Sequence, residues 1–191
     1  DVWNWVGTPG TTLTSFAGFA KAPQRLDEMA VPAADRSATL SPADKWGLVG
    51  SVTGLYIQDT AKTALQRAKL PPLGDVDTYM TQNSPTHTVG AHAGTPLVDG
   101  ATQNVTYATA KDTGTQTIVT KGWSNSVTGI VKAGDVLTFD GVYAVNPMSK
   151  AALPYLQQFV VKADANSGAS TGPATITISP PIITSGAYQT V

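Results

Sequence analysis

Hydrophobic period and local chemistry agree most clearly along Lys132-Ala-Gly-Asp-Val-Leu-Thr-Phe-Asp-Gly-Val-Tyr143. Gly134 and Asp135 form a turn, and Val136, Leu137, Phe139, Val142 and Tyr143 then supply the β-branched and aromatic side chains of a core strand. Asp140-Gly141 marks a kink or bulge where the alternation slips by one. Further strand signals lie at Asn104–Ala108, Thr117–Thr120, Leu156–Val161 and Ala174–Ser179, each bounded by Gly, Pro, Asn, Asp or Ser. Residues 86–190 therefore hold five to six strands between turns, the spacing of a small sandwich or Greek-key barrel. The tail from Ser179 to Val191 is expected to leave the barrel and return towards the first domain.

The N-terminal part follows a helical period. Leu13, Phe16, Ala17 and Ala20 predict a short helix, and Pro23 opens a second over Gln24–Ala30, closed by Pro32. Arg36–Leu40 is brief and extended. Ser41-Pro-Ala-Asp44 is a helix start, with a Ser cap, Pro at the first helical position and a carboxylate facing the free amides. Trp46 and Val49 are expected to face inward, while Gly47, Gly50 and Gly54 shorten or interrupt this helix. Tyr56–Lys69 predicts a better helix, stopped by Pro71-Pro72, and Leu73–Met80 a loop entering a strand that carries Val76 and Tyr79. Beyond residue 80 neither Glu nor Arg occurs and Thr is the commonest polar residue, so a domain boundary is placed near Pro85. The fold class is α+β: residues 1–84 form an α+β part and residues 85–191 an antiparallel barrel with its return segment.

Composition narrows the function. Of 191 residues 41% are hydrophobic, enough for a core, and only 13% are charged, against about a quarter on average. The net charge of −1 leaves no footprint for a nucleic acid or an anionic membrane. With no cysteine, thiol catalysis and thiolate metal sites are excluded. No apolar run approaches the roughly 20 residues of a membrane span. The chain begins at Asp1 without a signal-like segment, and is read as a processed product, a proteolytic fragment or a cut piece.

Catalytic material is scarce. His87 and His92 stand five apart without an intervening acid, so they do not make a metalloprotease pair and are read as surface or hinge residues. Asp75 and Asp77 flank one Val and lack the rest of a cation shell. Asp164-Ala-Asn-Ser-Gly168 imitates half a calcium loop, yet Thr175 occupies the position of the bidentate acid, so it reads as a hairpin turn. Asp27 and Glu28 are adjacent and point apart on a helix. No catalytic, cofactor or metal site is assigned, and a hydrolase is the least favoured reading. Trp3, Trp5, Trp46 and Trp123 offer either core anchors or a carbohydrate platform, which keeps a carbohydrate-binding β-sandwich module of a virion or secreted protein as the alternative function.

Four stretches resemble the major capsid (coat) protein of short-tailed bacteriophages, whose Hong-Kong-ninety-seven-type fold carries a β-barrel insertion domain. Asp1-Val-Trp-Asn-Trp-Val6 is similar to the end of that family's spine-helix region, and Leu40-Ser-Pro-Ala-Asp-Lys-Trp46 to its strand running into a capped helix. Gly74-Asp-Val-Asp-Thr-Tyr-Met80 with Ser84-Pro-Thr-His-Thr88 resembles the passage from apical domain to insertion, and Lys132–Val142 the insertion's central strand. The resemblance implies a non-enzymatic shell subunit without cofactor. Its partners would be other copies of itself, a scaffolding protein and a portal protein, and its place the virion, after assembly in the host bacterial cytoplasm. It also implies that residues 1–84 belong to the apical and peripheral domains and 85–191 to the Greek-key insertion. A contact loop would fall at Ala108–Gly114, where Lys111 and Asp112 pair across an interface or else sit on an ordinary exposed hairpin.

Overall fold

Ser15 starts the first helix by accepting the Gly18 amide on its hydroxyl at 3.2 Å. That helix, α1, runs as one element over Phe16–Glu28 in the computed structural model, which describes residues 4–52, 70 and 72–191. The expected break at Pro23 does not occur. The proline removes one backbone donor, but the flanking Ala, Lys, Gln, Arg and Leu residues are strong helix formers and Phe19 is anchored in the core. The helix ends with Ala30 in the left-handed region: Val31 N–H reaches the Leu26 carbonyl and Ala30 N–H that of Asp27, both at 3.0 Å. Arg36, its side chain 8% exposed, joins this end by pairing with Asp27 at 2.8 Å and donating to the carbonyls of Val31 and Pro32.

Strand β1 (Arg36–Leu40) lies parallel to β2 (Val76–Met80), from Arg36 opposite Val76 to Leu40 opposite Met80. Val76 is buried and Tyr79 exposed, as the strand period requires of residues three apart. Between them in sequence, α2 (Pro42–Val52) begins as expected, with the Asp44 amide on Ser41 Oγ and that hydroxyl on the Asp44 carboxylate at 2.7 Å. The other carboxylate oxygen of Asp44 accepts the Leu13 amide. Trp46 does not face inward: it is 59% exposed, and Leu48 enters the core instead, beside Val49, which faces inward as expected. Gly47 sets this face, because a Cβ there would fall 2.3 Å from the Leu13 carbonyl oxygen. The helix predicted over Tyr56–Lys69, with Trp3, lies outside the described residues.

The two helical glycines have opposite expected effects. Gly50 has open space, so Gly50→Ala should stabilise by about 0.5–1 kcal/mol through helix propensity. Gly47→Ala should destabilise by roughly 1–3 kcal/mol because its methyl meets backbone. Urea midpoints of the two variants check the signs.

The chain divides into two compact units, Val6–Thr86 and His87–Val191, with Trp5 joined to the second. The first has a core of Phe19, Leu40, Leu48, Val49, Leu70 and Val76. The second is built on β3 (Gly94–Val98), β4 (Gln116–Trp123), β5 (Val136–Val145), β6 (Ala152–Val161) and β7 (Ala174–Ser179). They form one antiparallel sheet in the order β3-β4-β7-β6-β5. Alternation is clean in β4 and β7, where Gln116, Ile118 and Thr120, and Ala174, Ile176 and Ile178, point inward. With Phe159 and Val161 of β6 and Trp123, Ile130 and Val131, they make the core.

Three strand expectations change. The stretch Val136–Val145 is an edge strand; β7 is central. Its bulge stands, since the register shifts between Thr138 and Tyr143 around Gly141, which has φ 78°. Asn104–Ala108 is not a strand: Tyr107–Ala110 makes one helical turn, and the side chain of Gln103 imitates a strand against β4. Its Oε1 accepts the Val119 amide at 2.7 Å while its Nε2 donates to the Val119 and Asp99 carbonyls. The missed strand, β3, carries Pro96, which suits an edge. The tail stays with the sheet: Ile182 N–H donates to the buried Gln116 side chain at 2.8 Å, Ile183 is buried, and Val191 packs against the core. The sheet is curled as a half-barrel, so that Pro96–Val98 of β3 and Leu137–Asp140 of β5 line one apolar cavity of about 280 Å³.

Candidate functional site

The densest chemistry lies on Asp135, which the turn before β5 places inside the second unit. Its side chain is 0% exposed and receives four donors. Oδ1 lies 2.7 Å from His87 Nε2; Oδ2 lies 2.7 Å from His92 Nε2 and accepts the amides of Lys132 at 2.8 Å and Gly90 at 3.1 Å. Burial pushes the carboxyl upward, but the Lys132 amide, the two histidines and the Gly90 amide together outweigh it and hold Asp135 below the usual carboxylate range. An ionised carboxylate only accepts, so both imidazoles must donate from Nε2–H. The four donors, one on Oδ1 and three on Oδ2, satisfy the carboxylate, which is why a charge is tolerated there.

The backbone around the carboxylate is equally ordered. Gly134 N–H donates to the Val161 carbonyl and Val161 N–H to that of Asp135, both at 2.8 Å, so the turn is locked to the end of β6. The Asp164 carboxylate accepts the Ala133 amide at 2.8 Å and the Asn166 side chain that of Gly129 at 2.7 Å; this segment is the connection from β6 to β7 that its turn residues indicated.

His87 and His92 are thus not simply surface residues, although each ring is partly exposed. Sequence reasoning missed the cluster because Asp135 lies 43 and 48 residues from the two histidines and no local pattern joins them. Among the described residues no hydroxyl or amine is bonded to either ring. Among them, too, no group of three or more His, Asp or Glu is placed to hold a metal ion.

The other candidates are dispersed. Asp27 pairs with Arg36, Glu28 accepts from Gln24 at 3.0 Å, and Asp75 and Asp77 are exposed beside the β2 turn. Trp123 is in the core, its Nε1 donating to Thr120 Oγ1 at 2.8 Å; Trp5 is held through its backbone by the Gln158 amide. Trp46 is the exposed tryptophan among those described, so the described tryptophans form no platform of several rings.

Lys111 and Asp112 follow the helical turn Tyr107–Ala110. Lys111 Nζ lies 3.1 Å from Asp112 Oδ1, and both side chains are largely exposed. The turn is fixed beneath them by Gly114 N–H on the Ala110 carbonyl at 2.7 Å and by Tyr107 stacked on Tyr188, with ring centroids 3.7 Å apart. Both tyrosines are exposed, so the charge pair stands beside an aromatic surface.

Comparison with known proteins assigns this scaffold. The sequence matches the family described as P22 coat protein, gene protein 5, over residues 5–191. The chain belongs to that coat-protein family. It is also 27% identical over 150 residues to the major capsid protein of Acyrthosiphon pisum secondary endosymbiont phage 1, an alignment covering 78% of this chain and 35% of that protein. The chain therefore spans about a third of the length of the curated relative it matches. The coat-protein match extends through both compact units, in agreement with the four stretches that carried the resemblance.

Proposed function

We propose that this chain is part of the major capsid subunit of a bacteriophage, a structural, non-enzymatic protein that assembles with copies of itself into an icosahedral shell around the genome. The observation that carries the reading is the coat-family match over residues 5–191. In this reading residues 1–84 belong to the apical and peripheral domains and residues 85–191 are the insertion domain. The sheet order supports a Greek key: β5, β6 and β7 are consecutive neighbours and β4 lies beside β7. Scaffolding and portal proteins are the further partners, the virion is the destination and the host cytoplasm the place of assembly. The 13% charge content suits a surface covered by like neighbours, and symmetry multiplies each moderate contact. Among the described residues no helix is long and apolar enough to cross a membrane.

Lys111 and Asp112 are the proposed contact between subunits. Their pair within the chain is exposed and therefore weak, so each is free to exchange it for a partner on a neighbouring copy. The test is sedimentation of the complete gene product co-expressed with its scaffolding protein. The unaltered protein should give fast-sedimenting particles, and Lys111→Glu should reduce their yield several-fold while leaving the unfolding free energy within about 0.5 kcal/mol. Undiminished particle yield from Lys111→Glu would remove this loop from the interface.

A further inference from the structure

The chain between the two units is tied at two points. On the first unit, Thr81 N–H donates to the Leu40 carbonyl at 3.0 Å, continuing the β1–β2 ladder by one residue. On the second, His87 is caught by Asp135. Between these anchors, Gln82–Thr86 carries one hydrogen bond among the described residues, from the Asn83 amide to Thr81 Oγ1. Beyond His87 the chain is seated tightly. A Cβ on Gly90 would lie 2.6 Å from the Ile130 carbonyl oxygen and from Val131 Cα, and the His87 ring covers Gly134, where a Cβ would come within 3.2 Å of Cε1. Ala91 and His92 then pair strand-like with the Gly129 and Ile130 carbonyls at 3.1 and 3.0 Å.

We propose that His87, Asp135 and His92 form a clamp that fixes where the chain arriving from the first unit becomes part of the second, confining flexing of the connection to Gln82–Thr86. Two attachments act in series: backbone pairing holds Ala91 and His92, whereas His87–Gly90 depends on the Asp135 carboxylate. Charged neighbours do not compete for that carboxylate. Asp164 is engaged by the Ala133 amide, and the Lys132 side chain extends past Gly129, where its Cε would lie 3.7 Å from a Cβ. The clamp's strength is therefore set by two imidazoles and two backbone amides. Without it the free connection lengthens by four residues, His87 to Gly90. The clamp is a property of the second unit and does not depend on the capsid reading.

Amide hydrogen exchange on the intact chain tests this. In the unaltered protein the Gly90 amide should exchange slowly, with those of Ala91 and His92. In a His87→Ala/His92→Ala double variant, and more strongly in Asp135→Asn, exchange at Gly90 should accelerate about tenfold or more beyond any loss of protection shared by Ala91 and the β6 and β7 amides. The proposal is overturned if the folded double variant leaves Gly90 as protected as it is in the unaltered protein. It is equally overturned if Gly90 loses no more protection than the β6 and β7 amides, since the cluster would then be a global core element and not a local clamp.

Discussion

Asp135→Ala should destabilise the second unit by about 2–4 kcal/mol, given roughly 1–3 kcal/mol for each buried donor left without its acceptor. The substitution leaves two imidazole donors and the Gly90 and Lys132 amides without their acceptor. Asp135→Asn should cost less, because the amide retains an acceptor oxygen but turns a donor towards groups that are themselves donors. The pH dependence has a definite sign. The native carboxyl titrates below its ordinary range, so its contribution is complete above about pH 4, where an unfolded aspartate is ionised, and is lost as pH falls through the lowered native value. Urea midpoints of the unaltered protein and Asp135→Ala should therefore differ at pH 7 and converge on acidification below pH 4. Equal midpoints at pH 7 would mean that the cluster contributes nothing to stability.

The second large effect is expected at Gly94, where β3 meets β4. Its φ of +111° is a region for glycine, and a Cβ there would lie 2.5 Å from the Gly122 carbonyl oxygen and 2.7 Å from the Ser124 nitrogen. Gly122 has the reciprocal constraint against the Thr95 carbonyl. Gly94→Ala should therefore cost about 3 kcal/mol or more, the strained backbone and the overlap acting together, and should loosen β3 first. Gly114→Ala separates the two causes. Its φ is +61° but its surroundings are open, so only the backbone cost of about 1–2 kcal/mol applies. Equilibrium unfolding of the pair gives the steric part as a difference.

What was readable from the residues is what local chemistry decides. The Ser41–Asp44 helix start, the alternating inward faces of β4 and β7, and the bulge at Asp140-Gly141 each depend on neighbours within a few positions. The family could be recognised because several such stretches occur in a fixed order. Pro23 misled because a local penalty was overridden by helix formers on both sides and by Phe19 in the core. Val136–Val145 read as central because its apolar content is high, yet Leu137 and Phe139 line the cavity between the two sheet edges and pack against the core from an edge strand. Trp46 yielded to Leu48 because Gly47 admits the Leu13 backbone, a contact between segments that no helical period encodes. His87 and His92 looked inert for the same reason: their partner is brought to them by the sheet, not by the sequence around them.

The central claim is that a coat-family chain of this architecture builds a shell, and electron cryomicroscopy of the complete gene product, co-expressed with its neighbouring genes, tests it most directly. The account predicts closed shells of uniform diameter, with each subunit showing a five-stranded sheet in the order β3-β4-β7-β6-β5 and the Lys111–Asp112 loop against a neighbouring copy. A complete product that remains monomeric under all assembly conditions, or shells whose subunits lack this sheet, would contradict it.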